Sequence, residues 1–135
     1  METAQVKYLG NLRTESTHLQ SGQVIITDAP KDNEGNGEAF SPTDLVCSAL
    51  ASCMLTIMGI LAKRENIELK GTIIHVTKTM ESNPRRIGAI QIDIVFAQNY
   101  NPADKIRLEN AAKTCPVAKS LSPEIQQNIT FIYPN

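Results

Sequence analysis

The 135-residue sequence contains no tryptophan, and aromatic residues make up only 4% of it. With a formal net charge of -1, it offers neither a basic footprint nor a series of rings on which bases could stack, which argues against nucleic acid as a partner. Histidine is nearly as scarce: His18 and His75 each stand in a stretch that reads as strand, with no Cys or His partner nearby. Metal-ligand spacing is therefore lacking, and no metal is expected. The three cysteines include no Cys-x-x-Cys pair, and their odd number excludes a simple disulfide framework, so reduced thiols are expected. The opening METAQVKYLG has neither the positively charged start nor the apolar run of a secretory signal, which points to the cytoplasm. Internal repeats and low-complexity tracts are absent as well.

What is present suffices for a core: 41% of the residues are hydrophobic, and the length suits a single domain over 1–135. Residues 1–28 alternate polar and apolar side chains, broken at Gly10-Asn11 and Ser21-Gly22. This pattern predicts strands near 3–9, 12–20 and 22–28. The stretch APKDNEGNGEA, 29–39, has no periodicity and reads as an exposed connection. Ser41, Pro42 and Asp44 form a capping-box-like start for a helix over 42–64, which ends on Lys63 and Arg64 against the negative end of the helix dipole. Two alternating stretches, 71–80 and 87–98, flank ESNPRR as a hairpin whose Arg85 and Arg86 belong to an exposed turn. Asn101-Pro102 starts another helix, Cys115-Pro116 a short one, and QNITFIY, 127–133, closes with a strand. The order β-β-β-α-β-β-α-α-β is an α+β pattern without the βαβ rhythm of a doubly wound sheet.

The helix over 42–64 is the unusual element. From Leu45 to Ala62 it carries no charge, a length near the lower limit for a bilayer span. Ser48, Ser52, Thr56 and Gly59 within it, and the lack of a flanking aromatic belt, argue against membrane insertion. A helix apolar nearly all round needs cover nearly all round. Six strands are modest cover for it, and an intertwined homodimer, with two such helices back to back between sheets, is expected from burial alone.

Cys47 and Cys53 project about 120° apart around this helix. Cys47 shares a stripe with Met54 and Met58 and reads as a small buried hydrophobe. Cys53 shares a stripe with Leu50, Ile57 and Ile60, and by position alone reads the same way. Cys115 differs, because Pro116 after it puts the thiol at a helix N-cap, where free amides and the dipole favour an anion. That placement predicts a lowered thiol pKa, and Ser, Thr, Asp or Asn would be the usual choice for a cap alone.

The stretches SPTDLVCSALASCM and KTCPVAKSL resemble the paired cysteine motifs of the OsmC/Ohr superfamily of thiol peroxidases, and the order of elements fits that fold along essentially the whole chain. The resemblance implies a peroxidase without metal, haem, flavin or other bound cofactor, acting on organic hydroperoxides and less well on hydrogen peroxide. Cys53 matches the peroxidatic residue and Cys115 the resolving one, with an external dithiol, of lipoyl type in the family, resetting the disulfide. Arg13, in GNLRTE, looks like the family arginine that holds the thiolate. Obligate homodimers with active sites at the subunit interface are also implied. The chain departs from the Ohr type at Thr43, where a glutamate ten residues before the peroxidatic cysteine would pair with the arginine. Asp44 comes one residue later, about 100° further round the helix. That departure raises a second reading, a binding protein of the same fold with a pocket for a small hydrophobic molecule.

Overall fold

In the computed structural model, which describes residues 1–135, the chain forms two compact units, Met1–Val46 and Cys47–Asn135. The first holds an antiparallel sheet in the order β1-β2-β3, made of β1 (Ala4–Gly10), β2 (Arg13–His18) and β3 (Val24–Asp28). The β1–β2 turn runs through left-handed backbone at Gly10, Asn11 and Leu12, with φ of 89°, 54° and 61°, a conformation that glycine and asparagine tolerate better than leucine. The second strand stops at His18 rather than residue 20. There His18 N–H donates to Gln23 O and Gly22 N–H donates to His18 O, so the ladder gives way to the turn. The register sets Arg13 opposite Asp28, which puts their side chains on one face of the sheet. Several apolar side chains of this sheet stay exposed, among them Val6, Tyr8, Val24 and Ile25.

The connection after β3 is not wholly irregular. A single turn of 3-10 helix spans Lys31–Asn33, and Gly35 N–H donates to Pro30 O at 2.9 Å. The segment is tied at its base, where Asp28 N–H donates to Phe40 O and Ala29 N–H to Leu12 O.

The long helix α1 spans Pro42–Arg64, as its end signals require. Ser41 Oγ accepts from Asp44 N–H at 3.1 Å, and the Asp44 carboxylate accepts from Ser41 N–H at 3.0 Å. This is a reciprocal capping box. At the other end Asn66 takes φ 55° and Ile67 N–H reaches back to Ala62 O at 2.8 Å, which closes the last turn. Within the chain one face of α1 is buried, formed by Cys47, Leu50, Ala51, Met54, Met58 and Ala62. The helix is thus not enclosed on all sides: Ala49, Ser52, Thr56 and Ile60 are exposed, and Cys53 and Ile57 are half-buried.

In the second unit β4 (Ile73–Glu81) and β5 (Arg86–Val95) form an antiparallel hairpin, and β6 (Gln126–Ile132) pairs with β5 in parallel. Parallel neighbours need a crossover, here supplied by α2 (Pro102–Ala112) and α3 (Pro116–Ser120). The period-two pattern sorts the sheet's faces. Ile90, Ile92 and Ile94 are fully buried, flanked in register by Val76 and Ile74 on β4 and by Ile129 and Phe131 on β6. The opposite face is polar, where Gln91 Nε2 donates to Asp93 at 2.8 Å and to Thr130 at 3.3 Å. Leu50, Met54, Met58, Leu108 and Ala112 complete the core of this unit. β5 ends at Val95 rather than residue 98, because Ala97 N–H turns to the side chain of Thr72. Tyr133 stacks on Phe96, 4.6 Å between ring centroids, and its hydroxyl donates to Glu109 at 2.7 Å.

Candidate active site

Cys115 is the N-cap of α3. Its backbone is extended, with φ -66° and ψ 138°, and Pro116 occupies the first helical position. Its Sγ accepts from Ala118 N–H at 3.2 Å. The cap foreseen from Cys115-Pro116 is therefore formed, but the lowered pKa expected from it is not. Cys115 is fully buried, and loss of solvation pushes the thiol up, against the Ala118 amide that favours the anion; the neighbouring Cys53 pushes it up further. Burial outweighs a single amide dipole here.

That neighbour is a second cysteine, some sixty residues away in the chain. Cys53 lies close enough to Cys115 for the two thiols to act on each other. The two differ in access: Cys53 is half-buried, whereas Cys115 is shut off from solvent. A reagent arriving from water meets Cys53 first. Cys47, on another stripe of α1, is buried at 3% exposure, as its helical position implied.

Arg13 opens β2 and is held within its own sheet. Its Nε donates to Asp28 Oδ1 at 2.6 Å and its Nη2 to Asp28 Oδ2 at 2.8 Å, a bidentate pair. Glu38 approaches Nη2 at 3.5 Å. Arg13 holds the Asp28 carboxyl below its ordinary pKa, chiefly through these hydrogen bonds and against the opposing effect of burial. Asp28 is 2% exposed. At the position where the resemblance places a glutamate, the Thr43 hydroxyl lies 3.2 Å from Ser41 Oγ, and Asp44 serves the capping box. The carboxylates on Arg13 thus come from β3 and from the segment after the 3-10 turn, which sequence reasoning missed. A signal existed: a hairpin folded about Gln20 and Ser21 sets residue 13 opposite residue 28.

The family model for OsmC-like protein matches residues 35–130. A structure from Psychrobacter arcticus 273-4, of a protein whose name refers to osmotic stress induction and a detoxification response, is 51% identical. It covers 97% of this chain and 96% of that one, with a TM-score of 0.94. An organic hydroperoxide resistance protein OsmC from Legionella pneumophila shares 13% identity over 98% of each chain, at a TM-score of 0.76. One from Elizabethkingia anophelis shares 14% over 99% of this chain and 98% of that one, also at 0.76. At such identities the likeness is one of fold. No curated protein matches the sequence.

Proposed function

Since the chain belongs to the OsmC-like protein family, we propose that it is a cysteine-based peroxidase that reduces organic hydroperoxides, and hydrogen peroxide less well. One observation carries this reading: a half-buried Cys53 lies beside a fully buried Cys115 whose thiol is pushed up. The names of the Legionella and Elizabethkingia relatives, both for organic hydroperoxide resistance, agree with it.

The chemistry follows from the two environments. The Cys53 thiolate attacks the terminal oxygen of the hydroperoxide and the O–O bond breaks. The alkoxide leaves with a proton as an alcohol, and Cys53 becomes a sulfenic acid, oxidised by two electrons. Cys115 then attacks the Cys53 sulfur. A sulfur–sulfur bond forms, and the sulfenic hydroxyl departs with the Cys115 proton as water. An external dithiol, of lipoyl type in this reading, reduces the disulfide by two exchange steps and leaves as its own disulfide. Keeping Cys115 protonated until that step suits a residue that must not compete for the peroxide. Arg13 is assigned the cationic role toward the thiolate, and no metal or other bound cofactor takes part.

The homodimer belongs to the same proposal. A second copy would cover the exposed stripe of α1 and the apolar side chains that the first sheet leaves in solvent. The test is intact-mass measurement of the reduced protein after one equivalent of tert-butyl hydroperoxide. Loss of two hydrogens, mapped to a Cys53–Cys115 disulfide, is expected, and Cys53→Ser should abolish turnover with a dithiol. Unchanged turnover in that variant would refute the mechanism.

A further inference from the structure

Resting on the peroxidase reading, we infer that Asp28 is a positioning residue, the carboxylate that fixes the plane of the Arg13 guanidinium. The argument begins with geometry. A carboxylate that takes Nε and one Nη of an arginine defines the guanidinium plane, because two parallel hydrogen bonds stop rotation about the Nε bond. Asp28 does this at 2.6 and 2.8 Å. It occupies the Nε–Nη2 edge and leaves Nη1 to other acceptors, on a side chain that keeps 38% of its accessibility.

Asp28 is itself immobilised. It sits at the last position of β3, directly opposite Arg13 in the ladder, and its Oδ2 also accepts from Glu38 N–H at 3.0 Å. Its own N–H is bonded to Phe40 O at 3.1 Å. One buried carboxylate thus ties the arginine, the strand end and the far end of the 29–39 connection together. Glu38 is no equal partner. It lies at 3.5 Å and its side chain is 67% exposed, where solvent screens most of the attraction.

A double-mutant cycle tests this, with kcat/KM for tert-butyl hydroperoxide and thermal midpoints measured on the full chain. Asp28→Asn keeps the shape and an acceptor for Glu38 N–H but turns an amide against the guanidinium. It should lower kcat/KM by about 10- to 100-fold, the span expected for a lost charge-assisted hydrogen bond, while Glu38→Gln changes it by less than about threefold. If Asp28 acts through Arg13, adding Asp28→Asn to Arg13→Ala lowers kcat/KM no further. A purely structural role would add. Should Asp28→Asn not fold, Asp28→Glu carries the same cycle: it restores the charge with a misplaced plane, so it should slow the wild-type background and leave Arg13→Ala unchanged. Additive losses in either cycle, or wild-type kcat/KM in Asp28→Asn, overturn the inference. A wild-type protein that consumes no hydroperoxide overturns the peroxidase reading itself, so the two failures are distinguishable.

Discussion

Replacing Cys115 by serine and by alanine separates its two duties. The thiol is fully buried and accepts from Ala118 N–H at 3.2 Å as the cap of α3. Alanine removes the acceptor, which costs about 1 kcal/mol for a lost N-cap. It also leaves an unfilled space the size of one heavy atom in a closed site, which costs about 1 kcal/mol more. The sum of about 2 kcal/mol, at roughly 3–5 °C per kcal/mol for a chain of this size, lowers the thermal midpoint by about 6–10 °C. Serine keeps both the acceptor and the shape, and it is a better cap than cysteine, so its midpoint should stay within about 4 °C of wild type. Chemically the two variants should be alike, because neither can form the disulfide. After one equivalent of hydroperoxide each should gain a single oxygen on Cys53, trappable with dimedone, where wild type loses two hydrogens. Thermal scans by circular dichroism and intact-mass spectrometry read both. Serine as destabilising as alanine would refute the cap, and a serine variant that still loses two hydrogens would refute Cys115 as the resolving thiol.

Three further outcomes are expected. The Cys115 thiol and the Tyr133 hydroxyl are both pushed up, chiefly by burial, from ordinary values of 9.0 and 10.0; the folded protein retains protons that the unfolded chain releases. The stability they contribute is full below about pH 9 and falls as pH rises above it, so urea midpoints should drop between pH 8 and pH 10.5, and a flat profile would contradict the assignment. Ile92→Ala, at a fully buried position in the central strand β5, should cost about 2–5 kcal/mol in urea unfolding, with a loss below about 1 kcal/mol counting against this face as the core. Asn101 accepts from Asp104 N–H at 2.8 Å as the cap of α2, so Asn101→Ala should cost about 1 kcal/mol, and an unchanged denaturation curve would show that cap to be idle.

The elements with strong local signals were legible from the residues. α1 begins and ends at Pro42 and Arg64 because a capping box and a cationic last turn are written in adjacent positions. The cap at Cys115 was legible for the same reason. Its pKa was not, because burial is set by what folds over the thiol and a local dipole argument cannot weigh it. The partner of Arg13 is hidden from a local reading because Asp28 is its neighbour only across the β2–β3 ladder, while Thr43 and Asp44 are taken up by the start of α1. The parallel pairing of β5 with β6 also lies beyond reach of periodicity, since alternation specifies a face and says nothing of the neighbouring strand's direction. Strand ends slipped by two or three residues where side chains or turns took over the backbone donors, as at Ala97 and His18.

The closeness of Cys53 and Cys115 bears on more than turnover. Between these two residues lie β4, β5 and α2, so a covalent link here would staple a loop of about 60 residues and shrink the freedom of the denatured chain by about 4 kcal/mol in the chain-entropy description. Each catalytic cycle would then carry the molecule between a loose and a tightened form. A protein left waiting for its reductant would be the more heat-resistant of the two, and its melting temperature would record the redox balance around it.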